Sequence, residues 1–232
     1  KQKTAYEIHE RLVGSEMCIR DSATCAKNLV LIGDQMQLSQ PMRAKHEGYA
    51  RMSSLDFVLE DNDTIPADKG VFLNVTRRLN KKICNYISSS FYDSRLTSDP
   101  ITETRSVNLK LDPIKDEGLF YVPIEHTGCS QRSDEEADLI EKTYNKIINK
   151  EFKAGDTTGK ISAKDIMVVA PYNAQANNIR ERLKKKFKED VRVGTIDLFQ
   201  GQEAKVVLIS MTTSDVESLP RHKDFFFSRN RL

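Results

Sequence analysis

A chain of 232 residues, 38% hydrophobic and 30% charged, has the composition of a folded globular protein and enough length for one full domain plus part of another. A formal net charge of +2 excludes a strongly basic chain, so any nucleic-acid contact must come from local placement of Lys and Arg. No apolar run of about 18 residues and no signal-peptide pattern occurs, which makes a cytoplasmic location the default, and Cys18, Cys25, Cys84 and Cys129 form no C-x-x-C pair that would suggest zinc or a disulfide framework.

Residues 1–22 change character abruptly before the apolar run that follows. They resemble a translated sequencing-library adapter: Lys1–Glu7 and Leu12–Asp21 correspond to its two constant parts in one frame, with His9, Glu10 and Arg11 covering the variable index. Such a segment is excluded from fold reasoning, and authentic sequence is expected from about Ala23. Lys1, Lys3, Arg11 and Arg20 balance Glu7, Glu10, Glu16 and Asp21, so the exclusion leaves the net charge at +2.

Lys27 to Ile32 reads as a buried parallel strand whose carboxyl end delivers Gly33 and Asp34 to a site. Residues 42–70, with a small helix around Ser53–Leu59, read as a connecting region that holds a domain boundary. Val71–Val75 is a second predicted strand, and Lys81–Phe91 has helical spacing at Ile83, Ile87 and Phe91. Leu119–Ile124 reads as a third strand. Ser133 followed by Glu136 ahead of an apolar-periodic stretch is the pattern of a capping box, which makes Asp134, Glu135 and Glu136 a solvated helix start rather than a metal cluster. Asp165–Ala170, Val191–Thr195 and Lys205–Ser210 are further predicted strands, with a Lys- and Arg-rich helix over about 174–188 between the first two. Strands alternating with helices imply an α/β fold with right-handed crossovers and a mostly parallel sheet covered by helices on both faces.

Three segments at strand ends carry candidate chemistry. Gly33–Pro41 combines a tight-turn glycine with Asp and Gln side chains that can orient a water or sense a phosphate. Arg77 and Arg78 offer guanidinium to a phosphoryl group, or form a solvated basic turn. Arg192–Glu203 places Gly, Thr, Gln and Glu between two apolar strands, which points to a site.

In order, GDQMQLSQP is similar to helicase motif III, TRRL to motif IV, APYNAQ to the segment before motif V, VGTIDLFQGQE to motif V with its extension, and SRNRL to the opening of motif VI. Together they resemble the superfamily 1 helicases of the group that includes the nonsense-mediated-decay helicase, and within it a bacterial branch fused behind a RecB-like nuclease. The resemblance covers about residues 23–232 and implies a RecA-like P-loop NTPase fold, with 23–66 as a stub of the first motor domain and 67–232 as the second, truncated in motif VI.

It also implies roles. Gln37 couples nucleotide state to grip, and Arg78 approaches the γ-phosphate. Gly33 and Asp34 shape their turn, Gly201 and Glu203 meet phosphate and ribose, and Thr195, Tyr172 and Gln175 lie on the nucleic-acid side. Arg77 and Leu79 depart from the aromatic residue and the Met usual in the family. The implied cofactors are ATP and Mg2+, and the implied partner is single-stranded DNA or RNA, with an upstream nuclease domain in the same chain as a further expectation. No G-x-x-x-x-G-K-[ST] loop and no strand ending in Asp-Glu occurs in the sequence, so the metal ligands are expected upstream and this piece alone is expected to be inactive. A non-catalytic nucleic-acid scaffold and an accessory part of a nuclease fusion are the alternatives.

Overall fold

In the computed structural model, residues 25, 27–38, 52–109, 111, 114, 116–187, 190–215, 217 and 219 are described. The adapter-like segment and the SRNRL motif lie outside them, as do Ser39, Gln40 and Pro41. Two compact units divide between Phe72 and Leu73.

In the first unit, helix α1 spans Ser54–Leu59. Ser53 caps it by accepting from the Asp56 N–H at 3.0 Å, while the Asp56 carboxylate accepts from the Ser53 N–H at 3.3 Å, a reciprocal capping box. The Lys27–Ile32 segment is not a strand here. Leu29, Val30 and Ile32 are 47%, 80% and 89% exposed, and among the described residues no neighbouring strand satisfies their backbone groups.

The second unit begins with β1 (Val75–Thr76), which pairs in parallel with β2 (Thr97–Ser98) across helix α2 (Lys81–Phe91). The predicted strand over Val71–Val75 is thus reduced to its last residue plus Thr76, and Leu119–Ile124 forms no strand, because apolar composition becomes a strand only beside a hydrogen-bonding partner. Asn80 caps α2 by accepting from the Lys82 N–H at 2.9 Å, and Cys84, Ser88 and Phe91 form its buried face. The helix matches its predicted bounds.

β3 (Ser106–Val107), β4 (Glu151–Ala154) and β5 (Thr157–Lys160) make an antiparallel sheet in that order, with Gly155-Asp156 as the two-residue turn between the last two. Helix α3 (Asp134–Ile147) buries Ala137, Ile140, Tyr144 and Ile147, the 3.6-residue stripe expected of an amphipathic helix. Beyond it, Asn149 adopts φ 66° and reverses the chain into β4.

The main sheet is parallel. Its strands are β6 (Ile166–Val169), β7 (Arg192–Gly194) and β8 (Val206–Ile209), in the order β7-β6-β8. β6 is central, and Ile166, Met167 and Val168 are all buried, which is why its sequence is continuously apolar rather than alternating. Helix α4 (Asn173–Lys186) packs on β7 and on α3. Tyr144, Ile147, Ile166, Ile179 and Leu183 are each under 2% exposed, and each such side chain contributes about 1.5–3 kcal/mol of burial. Val169 pairs with both Gly194 and Ile209, so the three strands end level. Residues 170–172, 195 and 210 therefore share one sheet edge. The fold is mixed α/β with a parallel main sheet, as expected, and no helix among the described residues is long and apolar enough to cross a membrane.

Candidate functional site

In the first unit, Asp34 organises a turn. Its carboxylate accepts from the Met36 N–H at 3.0 Å and from Gln37 Nε2 at 3.1 Å, while its carbonyl accepts from the Gln37 N–H at 3.2 Å. Gln37 is exposed, and Gly33 lies so close to Leu55 that a Cβ there would sit 2.6 Å from Leu55 Cδ1. These three predicted residues form one local group.

In the second unit Arg78 follows β1, Thr195 follows β7 and Tyr172 follows β6, whereas Gly201 and Glu203 stand in the turn ahead of β8, beside Lys164 at the amino ends of the main-sheet strands. Arg78 Nε is 3.0 Å from Glu203 Oε2, with side chains 62% and 71% exposed. Arg77 turns elsewhere and pairs with Asp99 at 3.3 Å, so of the two adjacent arginines only Arg78 meets the Gln200–Glu203 turn. Gly201 holds φ 78°, a conformation in which glycine carries no Cβ penalty. The Gln202 N–H closes this turn onto the Phe199 carbonyl at 2.9 Å.

Thr195 stands at the end of β7 and precedes the 3-10 turn Ile196–Phe199, making no side-chain capping bond. That turn folds back over Gly194, where a Cβ would meet Leu198 Cδ2 at 2.5 Å, so a larger residue there would require the Leu198 side chain to move. Tyr172, half-buried one strand away, stands at the N-terminal boundary of α4 without a side-chain capping bond, and burial pushes its phenol up.

Gln175 is fully buried. Its Oε1 accepts from the Ser133 N–H at 2.9 Å, and Nε2 donates to the Ser133 carbonyl at 2.9 Å and to Ser210 Oγ at 3.1 Å. The amide therefore ties α3, α4 and the end of β8 together. The structure brings Arg78 together with the Gly201–Glu203 turn, leaves Thr195 and Tyr172 at the carboxyl ends of β7 and β6, and turns Gln175 into the interior.

An AAA domain family model matches residues 52–231. The chain belongs to the AAA domain family. Among similar proteins, the DNA polymerase alpha-associated DNA helicase A of Schizosaccharomyces pombe is 30% identical over 198 residues, covering 81% of this chain and 29% of that protein. The Regulator of nonsense transcripts 1 homolog of Drosophila melanogaster is 25% identical over 228 residues, covering 91% and 18%, and Helicase sen1 of S. pombe is 27% identical over 201 residues, covering 82% and 11%. The chain spans less than a third of the length of these curated relatives.

Two features of this AAA domain were not readable in its sequence. Arg192 holds the Gln200–Glu203 turn, donating to the Glu203 carbonyl at 3.1 Å, to Gln202 Oε1 at 2.9 Å and to the Lys164 carbonyl at 2.8 Å. Nothing in the spacing of the residues announces those contacts. The capping box expected at α3 is only half formed, which is a correction. Ser133 Oγ accepts from the Glu136 N–H at 3.1 Å, but the Glu136 side chain turns inward instead of reaching back, and Gln175 takes the Ser133 N–H. Asp134 and Glu135 are exposed as expected, whereas Glu136 is buried. Hydrogen bonds from Arg132, Asn178 and Arg182 hold the Asp134 carboxyl below its ordinary range.

Proposed function

We propose that this chain is part of an ATP-dependent superfamily 1 helicase or translocase, contributing one wall of the ATP site and part of the groove for single-stranded DNA or RNA. The observation that carries the reading is the Arg78–Glu203 pair at 3.0 Å, a guanidinium that follows β1 meeting a carboxylate from the turn ahead of β8, far away in sequence. The helicase names of the relatives support the same reading.

Arg78 fits a nucleotide phosphate, since it is largely exposed and already engages an anionic oxygen. Glu203 supplies an acceptor for ribose hydroxyls, with Gly201 giving the backbone close approach. Gln37 and Asp34, with Gly33, couple nucleotide state to grip. Bound ATP supplies the phosphoryl group that passes to water. The described residues include no group of three or more His, Cys, Asp or Glu side chains that could hold a metal ion, and the protein ligands of Mg2+ are proposed to lie upstream. Thr195 and Tyr172 serve the strand, whereas Gln175 acts through packing.

The remaining parts of the proposal are a cytoplasmic location, a stub of the first motor domain over 23–66, a second motor domain over 67–232, an upstream nuclease in the same chain and an adapter origin for residues 1–22.

Two variants of the full-length protein test the central reading. R78A removes a charge-assisted phosphate contact, so ATP turnover should fall by orders of magnitude while strand affinity without nucleotide holds. T195A removes one backbone-positioning hydrogen bond, a net loss of about 1 kcal/mol or several-fold in strand affinity, with basal ATPase kept. Parallel losses of both activities with a lowered Tm would refute both assignments, and a wild-type protein that binds strands without turnover would point to a scaffold.

A further inference from the structure

The segment after β8 contains a strained residue with a dedicated anchor. Thr212 is fully buried and holds φ 71°, the left-handed region that a β-branched side chain rarely adopts. Its N–H donates to Glu136 Oε1 at 2.8 Å, and Ser210 Oγ, two residues earlier, donates to Glu136 Oε2. His126 Nε2 lies 3.0 Å from Glu136 Oε1, and its Nδ1 is 2.7 Å from Ser214 Oγ. Ser214 also receives the Cys129 N–H at 2.9 Å. One carboxylate on the first turn of α3 thus gathers the segment Ser210–Ser214, directly at Ser210 and Thr212 and through His126 at Ser214.

The Ser214–His126–Glu136 chain has the residue types of a nucleophile, base and orienting acid. Its surroundings argue against hydrolysis. The His126 and Glu136 side chains are 6% and 10% exposed, which leaves no room for a substrate beside them, and the bonds around them hold backbone in place. What the held segment presents is Thr213. Its hydroxyl donates to the Ser130 carbonyl at 2.8 Å, and Ser210, whose N–H donates to the Val169 carbonyl at 2.9 Å, joins the segment to the sheet edge that also carries Thr195.

We propose that Glu136 is a positioning residue for strand binding: by holding Ser210 and clamping Thr212 in its left-handed conformation, it sets the chain after β8 on the sheet edge that carries Thr195 and Tyr172. The inference rests on the reading of that edge as the single-strand surface. A carboxylate is suited to the task because it can accept from the Thr212 N–H, from Ser210 and from His126 together.

The test uses the full-length protein with labelled oligo-dT and oligo-U, fluorescence anisotropy for affinity, hydrogen exchange at the Thr212 amide and a thermal melt. E136A should weaken strand binding about tenfold and speed Thr212 exchange by about a hundredfold. E136Q, whose amide oxygen can still accept from the Thr212 N–H, should stay within about threefold of wild type. E136A/T212G should regain affinity over E136A, because glycine adopts φ near 71° without a clamp. Wild-type affinity in E136A would overturn the proposal, as would a double variant that recovers Tm without recovering binding. If the wild-type protein binds neither oligonucleotide, the reading of the edge itself falls; normal wild-type binding with an indifferent E136A removes the role of Glu136 alone.

Discussion

Replacing Gln175 by Ala separates a packing role from a nucleic-acid role, because the two make opposite predictions. The side chain is fully buried and makes three hydrogen bonds, at 2.9, 2.9 and 3.1 Å. After truncation the Ser133 carbonyl keeps the Ala137 N–H at 3.3 Å, but the Ser133 N–H, at the capped end of α3, loses the acceptor Gln175 gave it. A buried donor left unsatisfied costs about 1–3 kcal/mol, and each of the other two lost bonds about 0.5–1.5, so the sum centres on about 4 kcal/mol. For a domain of this size each kcal/mol lowers Tm by about 2–4 °C, which places the expected drop at about 8–16 °C. Calorimetry or a denaturant titration of Q175A measures it. Strand affinity per folded molecule should change little. An unchanged Tm together with a several-fold loss of strand affinity would refute the packing argument and restore Gln175 to the nucleic-acid surface that the family resemblance implies.

Asp165 makes the chain sensitive to acid. Burial alone would raise its carboxyl, but hydrogen bonds from Lys205 and from the Ser162 N–H and hydroxyl, the latter two at 2.9 and 2.7 Å, outweigh that and hold it below the usual range. Its stabilisation is therefore complete above the ordinary carboxylate value of about 4 and is lost as pH falls through the lowered one. D165N should cost about 1 kcal/mol at neutral pH, with a flatter stability profile in acid, and an identical acid profile in both proteins would refute this. For residues 1–22, amplification across the junction from adapter-free template should yield a different coding sequence upstream of about Ala23, and recovery of the same 22 residues would refute the adapter origin.

What was legible in the sequence follows from the range of the forces involved. The bounds of α2 and the start of α3 are local matters of apolar spacing and of a Ser or Asn that caps the next turn, and both stand within a residue of expectation. β6 and β8 were legible because continuous apolar runs bounded by polar turns have few alternatives to a parallel sheet, and β7 because Val191 and Val193 flank Arg192 in period-two alternation. The β4–β5 hairpin was not, since Glu151–Lys160 carries only Phe152 and Ala154 as apolar residues on its paired strands, too little alternation to stand out. Lys27–Ile32 and Leu119–Ile124 failed in the opposite sense. Their composition suits a strand, but a strand exists only with a partner, and partners are a property of the whole sheet.

The candidate site divides along the same line. Arg78 and Thr195 were recognisable because each follows a strand, and Gly201 and Glu203 because a polar turn stands between two apolar strands. Glu136 was misread because S-x-x-E states only that a carboxylate stands three residues after a cap. Whether it bends back to the cap or turns inward depends on what waits inside, and here that is the Thr212 N–H, 76 residues away in sequence. The inward choice leaves the Ser133 N–H to Gln175, which in turn withdraws Gln175 from the surface. Two departures from the sequence reading therefore have one physical cause. A carboxylate committed to a strained backbone turn forces a glutamine to complete the cap of a helix, so the interior geometry of this domain is set by where the segment after β8 must be held.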